Sequence, residues 1–273
     1  MSAVRDDGVV IEPDAAFADP RLARLYDVFE DDRDDLEVYV ALAVELGARA
    51  VIDVGCGTGE LAVRLARRGF DVVGVDPAVA SLDVARTKAD AERVTWIEGD
   101  ATRIAAKLPG FAADLAVMTG NVAQVFVDDD DWRETLTALR RVLEPGGHLV
   151  FEIRRPEVRA WETWADELTT ERATLDDGTV VEVSFDLLDV VGLDRAGEPL
   201  TVAFRWTYVF DPAGAAPVTV ISDSTIRFRE RTEIDSDLAA AGFAVEEVRD
   251  APDRPGHEWV FVARARGDGN DRT

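Results

Sequence analysis

The chain has 273 residues, 47% of them hydrophobic, and 30 basic against 55 acidic side chains give a formal charge of −25. That balance argues against nucleic acid or an anionic membrane surface as the main partner, since either calls for a basic patch. One cysteine, Cys56, excludes an intramolecular disulfide and a cysteine-cluster metal site; with two histidines, His148 and His257, no metal centre is expected.

Met1–Asp7 lacks the apolar core of a signal peptide, and no run of ~18 apolar residues offers a bilayer span, so a cytoplasmic chain is expected. From Val51 to Ile153, short β-branched runs alternate with helix-length amphipathic segments. Val51–Val54 reads as a strand, Gly55–Gly59 as a glycine loop, and Glu60–Ala66 as a helix with apolar positions 61, 62, 65 and 66. Strands follow at Asp71–Val75, Val94–Ile97, Leu115–Met118 and His148–Ile153, with helices near Ala78–Ala89 and Trp132–Leu143. Strands alternating with helices imply parallel βαβ units and a doubly wound sheet covered on both faces.

Residues 156–230 switch to period-2 patterning, too long for a structureless connection. Val181, Val183, Phe185 and Leu187 form one alternating set; Leu200, Val202, Phe204, Trp206, Tyr208 and Phe210 form a second. Val218, Val220, Ile226 and Phe228 form a third, with turns at Asp194–Pro199 and Asp211–Gly214. An inserted antiparallel meander with one apolar face is predicted. The chain then returns to α/β: a helix at Glu233–Ala241, a strand at Phe243–Val248 and a last strand at Trp259–Ala263. The acidic runs Glu30–Asp35 and Asp128–Asp131 read as solvated helix starts.

A glycine loop between a first strand and a first helix lets backbone approach a ligand closely. Gly57-Thr58-Gly59-Glu60-Leu61-Ala62 fits the dinucleotide pattern G-x-G-x-x-A, and Asp76 lies 19 residues after Gly57, near the spacing of a ribose-binding acid. Taken alone, this pattern fits NAD(P) or another adenosine ligand.

Four motifs in order carry a resemblance. Asp53-Val54-Gly55-Cys56-Gly57-Thr58-Gly59, Val73-Gly74-Val75-Asp76, Glu98-Gly99-Asp100-Ala101 and Leu143-Glu144-Pro145-Gly146-Gly147-His148 resemble the class I S-adenosylmethionine (SAM) methyltransferases. The resemblance spans roughly residues 48–155 and 232–265. It implies a Rossmann-like fold, mostly parallel with an antiparallel last strand. SAM is the implied cofactor and S-adenosylhomocysteine (SAH) the product.

On that resemblance Asp53 orders the amino-acid end of the cofactor, beside Gly55, Cys56, Gly57 and Gly59. Asp76, followed by Pro77, accepts from the ribose hydroxyls; Asp100, with Ala101, meets the adenine. The alternative for Asp76 and Asp100 is a helix N-cap. Thr119 lies in the methyl-proximal segment, and Tyr26 resembles part of an N-terminal cover over the cofactor. Cys56 reads as a small loop filler rather than a nucleophile.

Substrates of open α/β sheets sit beyond the carboxyl ends of the strands. That rule makes His148 structural and leaves Asn121, Glu152, Arg154, His257 and Trp259 as substrate-side candidates, with His257 the candidate base. Each has a bland reading: a turn residue for Asn121, mutual pairing for Glu152 and Arg154. Trp161, Trp164, Trp206 and Tyr208 wall an acceptor pocket or a homodimer contact, or form ordinary core.

The expected organisation is a helical cover over 1–47, a SAM-binding domain over 48–155 and 231–266, an inserted β-rich subdomain over 156–230 and a flexible tail at 267–273. The expected activity is methyl transfer to an amine or hydroxyl of a small molecule. Its rivals are an NAD(P)-dependent oxidoreductase and a SAM-binding module without turnover.

Overall fold

The computed structural model describes residues 12–29, 33–167, 170–193 and 198–267. The start of the expected cover, Glu30–Asp32, the turn residues Asp194–Gly197 and all of the expected tail but Gly267 lie outside these residues. Helices α1 (Ala15–Ala18), α2 (Pro20–Phe29) and α3 (Glu37–Glu45) lead in. Then β1 (Ala50–Val54), α4 (Glu60–Arg67), β2 (Asp71–Asp76), α5 (Val79–Thr87), β3 (Val94–Glu98), α6 (Ile104–Lys107), β4 (Ala113–Met118), α7 (Asp129–Val142) and β5 (Leu143–Arg154) alternate. After α8 (Trp161–Glu167) come β6 (Glu171–Thr174), β7 (Val180–Val191), β8 (Leu200–Asp211) and β9 (Val218–Phe228). The chain closes with α9 (Arg231–Ala240), β10 (Phe243–Asp250) and β11 (Glu258–Ala265).

Seven strands form one sheet in the order β10-β11-β5-β4-β1-β2-β3, with β11 antiparallel to both neighbours and the β1–β5 pairings parallel. This is the doubly wound, Rossmann-like arrangement expected. Both faces are buried, which is why the strands read as near-continuous apolar runs. Within β1, Ile52 and Val54 pack toward α7 and α9 with Trp132, Leu136, Ile234 and Leu238. Val51 packs the other way, toward α3 and α4 with Tyr39, Leu42, Leu61 and Leu65. The winding reverses between β1 and β4, so the crevice for a ligand opens above their carboxyl ends.

The run Asp128–Asp131 is a helix start, as expected. Asp128 accepts from Asp130 N at 2.7 Å, and three carboxylates in the first turn of α7 suit the positive end of the helix dipole.

The insertion forms a separate sheet in the order β6-β7-β8-β9, antiparallel throughout. Its apolar face is divided between two helices. Val181, Val183, Tyr208, Phe210 and Val220 pack on Leu22, Leu25 and Phe29 of α2. Val202, Phe204, Ile226 and Phe228 pack on Trp161 and Trp164 of α8. A bulge between Leu187 and Asp189 interrupts the register of β7 with β8. Three elements, α6, α8 and β6, were not anticipated; each is too short to show a sustained period.

Two buried arginines join the sheets. Arg229, fully buried, donates to Phe126 O at 2.7 Å and to Ala123 O at 3.4 Å, with its guanidinium 5.1 Å from the Trp132 ring. Arg227 pairs with Asp129 at 2.6 Å and Glu233 at 3.1 Å. Burial lowers the pKa of Arg229 to about 10. The pair ties the end of β9 to the loop following β4.

Candidate functional site

A cavity of about 220 Å³ opens where the chain leaves β1, β2, β3 and β4. Its wall brings together Asp53, Gly55, Cys56, Gly57, Asp76, Pro77, Asp100, Ala101, Thr119 and Tyr26, all expected at one site. Gly59 stands just behind. It adopts φ +79° at the N-cap of α4, and a Cβ there would meet the Trp96 ring at 2.5 Å. Gly57 differs: at φ +52° a Cβ would have nothing within 4 Å, so this stretch of wall leaves room for a ligand.

Asp76 fastens the loop. One carboxylate oxygen accepts from Gly57 N at 2.8 Å and the other from Ala78 N at 2.7 Å. It holds backbone on both sides while lining the cavity, but it is not the N-cap of α5, which is Ala78. Burial raises its pKa, and these two amides partly offset the rise. Asp100 caps the turn that follows it, its Oδ1 accepting from Thr102 N at 2.8 Å and from the Thr102 hydroxyl.

Asp53 is different in kind. It is 2% exposed, and its Oδ2 has no hydrogen-bond partner. Burial, reinforced by the nearby Asp76, raises its pKa to about 7, against weaker help from the Ala62 amide and Arg33. An orphaned buried carboxylate oxygen on a cavity wall asks for a donor or a cation. Cys56 is buried and its thiol is pushed well up by burial and by Asp53, the opposite of an activated nucleophile.

The N-terminal segment closes the cavity. Phe17 and Tyr26 line it, with ring centroids 6.0 Å apart. Thr58 Oγ1 donates to Asp27 at 2.6 Å, Lys88 pairs with Asp27 at 2.8 Å, and Ser81 Oγ donates to Phe17 O at 3.0 Å. On the far side, Ala16 N donates to Ser222 Oγ of β9 at 2.8 Å. This segment thus spans from the glycine loop to the second sheet. The six lining carboxylates, Glu12, Asp14, Asp53, Glu60, Asp76 and Asp100, face one guanidinium, Arg33, in the described lining. Glu60 is neutralised by Arg64 and Lys88, both at 2.9 Å.

The substrate-side candidates stand at the expected rim, but their polar groups are turned to one another. Glu152 accepts from the Tyr39 hydroxyl and from the Gly120 and Asn121 amides. Asn121, at φ +60°, donates through Nδ2 to Glu258 at 3.1 Å. Arg154 reaches Gln124 at 3.0 Å and Glu258 at 3.6 Å, over the Trp164 ring; burial lowers its pKa. Glu152 and Arg154 therefore do not pair in the simple way anticipated. His257 is exposed and Trp259 packs on Phe261 and Arg155. His148, expected to start its strand, lies in the middle of β5, where it meets Glu246 at 3.1 Å, and it does not line the cavity.

Sequence reasoning missed Glu12, Asp14, Phe17, Arg33, Leu36, Val122, Val125, Phe126 and Thr225 on the cavity wall. They come from segments with no fixed spacing to the glycine loop, so no motif announces them.

Residues 51–147 match the family model described as a methyltransferase domain. The chain is 38% identical over 110 residues to a putative methyltransferase of Geobacillus, covering 39% of this chain and 43% of that relative. It is 36% identical over 106 residues to a ubiquinone biosynthesis O-methyltransferase of Acinetobacter baylyi, covering 39% and 44%. The matched segment is less than half the length of these relatives. A sugar N-methyltransferase from Streptoalloteichus shares the fold, with a TM-score of 0.67 at 21% identity over 98% of each chain.

Proposed function

On the premise that residues 51–147 are a methyltransferase domain of the class I SAM-dependent type, we propose that this chain transfers a methyl group to an amine or hydroxyl of a small molecule. The observation that carries the reading is the orphaned Asp53 Oδ2, buried on the wall where three of the four motif segments converge, those of Asp53, Asp76 and Asp100. The residues present suit SAM: a carboxylate for a cationic amino acid, a second carboxylate with two oxygens for vicinal hydroxyls, and open space beside Gly57.

When bound, SAM supplies a methyl group already activated on a sulfonium. Asp53 holds the ammonium of the amino-acid end and is ionised by doing so. Asp76 keeps the glycine loop against the carboxyl end of β2 while its remaining lone pairs accept from the ribose. Asp100 and Ala101 flank the adenine. Phe17 and Tyr26 exclude water, and Thr119 with Gly120 bounds the methyl side. Such a site acts chiefly by alignment and desolvation. The cover at 1–47, the core at 48–155 and 231–266, and the acceptor-facing insertion at 156–230 form the working division of the chain.

The NAD(P) reading of the glycine loop and the module without turnover are not favoured, since the matched relatives are named as methyltransferases. Isothermal titration calorimetry with SAM, SAH and NAD(P) tests the proposal. Micromolar binding of SAM and SAH is expected. NAD(P) binding with no response to SAM refutes it.

A further inference from the structure

Beyond the motif residues the cavity runs to a second end. It is bounded by Glu12, Asp14 and Phe17 of the N-terminal segment, Val125 and Phe126 after β4, and Thr225 of β9. These pieces hold one another: Ala16 to Ser222, Arg229 to Phe126 O, and Ser224 hydrogen-bonded to the Asp14 carboxylate. Asp14 occupies the N-cap position of α1, yet its side chain makes no capping bond. Its carboxylate is committed to the cavity wall and β9.

The polar side chains at this end are two carboxylates and a hydroxyl. The guanidinium of Arg33 is already engaged twice by Asp35, at 3.1 Å each. At the other end stands the orphaned oxygen of Asp53. A cavity wall that carries Asp53, only weakly offset by Arg33, and Asp14, bonded to a neutral hydroxyl, suits two positive centres, one of them the cofactor. Burial, with Asp223 nearby, raises the Asp14 pKa against the opposing bond from Ser224, which makes it a better base than an exposed aspartate.

Resting on the methyltransferase reading, we propose that Asp14 binds the methyl acceptor as an ammonium ion and takes its proton, so that the site selects amines over hydroxyls. Ionised Asp14 holds R–NH3⁺ by a charge-assisted hydrogen bond. It accepts one proton, leaving R–NH2 with a free lone pair. The nitrogen forms its bond to the methyl carbon as the carbon–sulfur bond breaks and that electron pair returns to sulfur. The products are R–NH2⁺–CH3 and a neutral thioether, and Asp14 passes its proton to water. A carboxylate is too weak a base to do the same for an alcohol.

The test titrates SAH-saturated full-length protein, wild type and Asp14→Asn, with matched probes by calorimetry. The pairs are glucosamine against glucose, 3-amino-3-deoxyglucose against glucose, and benzylamine against benzyl alcohol. At least one amine is expected to bind wild type ten times more tightly than its hydroxyl counterpart. Asp14→Asn is expected to bring that preference below twofold while holding SAH affinity within twofold of wild type. Equal binding of amine and hydroxyl by wild type, including no binding of either, overturns the proposal, as does a preference that survives Asp14→Asn. If the Asn variant loses SAH more than tenfold, Asp14 belongs to the cofactor end and the proposal falls. Failure of the methyltransferase reading looks different: wild type then takes up no SAH.

Discussion

Replacing Asp53 with asparagine should make the ligand-free protein more stable at alkaline pH while weakening its hold on SAM. Burial raises the Asp53 pKa from 3.8 to about 7. Between those values the unfolded chain gives up the proton that the folded chain retains, so wild-type stability falls as pH rises. Above about 7 both states are ionised and the penalty is constant. At 1.36 kcal/mol per pH unit the gap corresponds to a ceiling on the order of 4 kcal/mol. Asparagine escapes this penalty but buries an amide, which returns about 1–3 kcal/mol if unpartnered. The stability difference between variant and wild type should therefore shift in favour of the variant between pH 5 and pH 8. About two pH units of the gap fall inside that window, so if half of that part survives, the shift is roughly 3–5 °C in Tm for a domain of this size. Differential scanning fluorimetry of both proteins at pH 5, 6, 7 and 8 reads this directly, with the −25 background charge nearly common to both. Calorimetry should show SAM binding at least a hundredfold weaker in the variant. A Tm difference independent of pH refutes the argument that Asp53 is a buried, ligandless carboxylate.

Three further outcomes follow from the bonds around the cavity. Asp76→Ala orphans the Gly57 and Ala78 amides, so urea unfolding should show a loss of about 1.5–3 kcal/mol for each that finds no water, alongside loss of most SAM affinity; unchanged affinity would mean that Asp76 serves the backbone alone. Thr58→Val removes the 2.6 Å bond to Asp27 and should raise the SAH dissociation rate about fivefold in stopped-flow fluorescence, with Tm lowered by only a few degrees. An unchanged rate would mean that the N-terminal segment does not gate exchange. Arg229→Met leaves the Ala123 and Phe126 carbonyls without their donor, while Asp129 keeps Arg227, and should cost about 1–3 kcal/mol in denaturant unfolding for each carbonyl that finds no other partner. A loss below 1 kcal/mol would show that the two sheets are not coupled through this residue.

The motif-lined part of the cavity was legible because its residues sit at fixed distances from one loop. Asp53, Asp76 and Asp100 stand at or just beyond the carboxyl ends of β1, β2 and β3, and a doubly wound sheet brings all such ends to one rim. The other part was not. Glu152 was placed at the right rim, but strand alternation turns its side chain to the α3 face, where Tyr39 meets it. Asn121 likewise spends its amide on Glu258, a residue 137 positions away. Asp14 and Thr225 are brought to one wall by packing between distant segments, which no local period reports. The meander was visible in its alternation, whereas its division between α2 and α8 depends on tertiary contacts.

The pairing of β11 has a consequence for how the chain is made. Trp259 lies opposite Ile153 and Val262 opposite Val150, so the strand that completes the core emerges only after the whole second sheet has been synthesised. Until then β5 presents an unpaired hydrophobic edge, the kind that recruits other chains. Ribosome-bound or truncated chains ending near residue 250 should therefore aggregate or engage chaperones. The long excursion between the two strands makes folding late-closing, and yield during expression should respond to changes in the insertion that leave the finished fold unharmed.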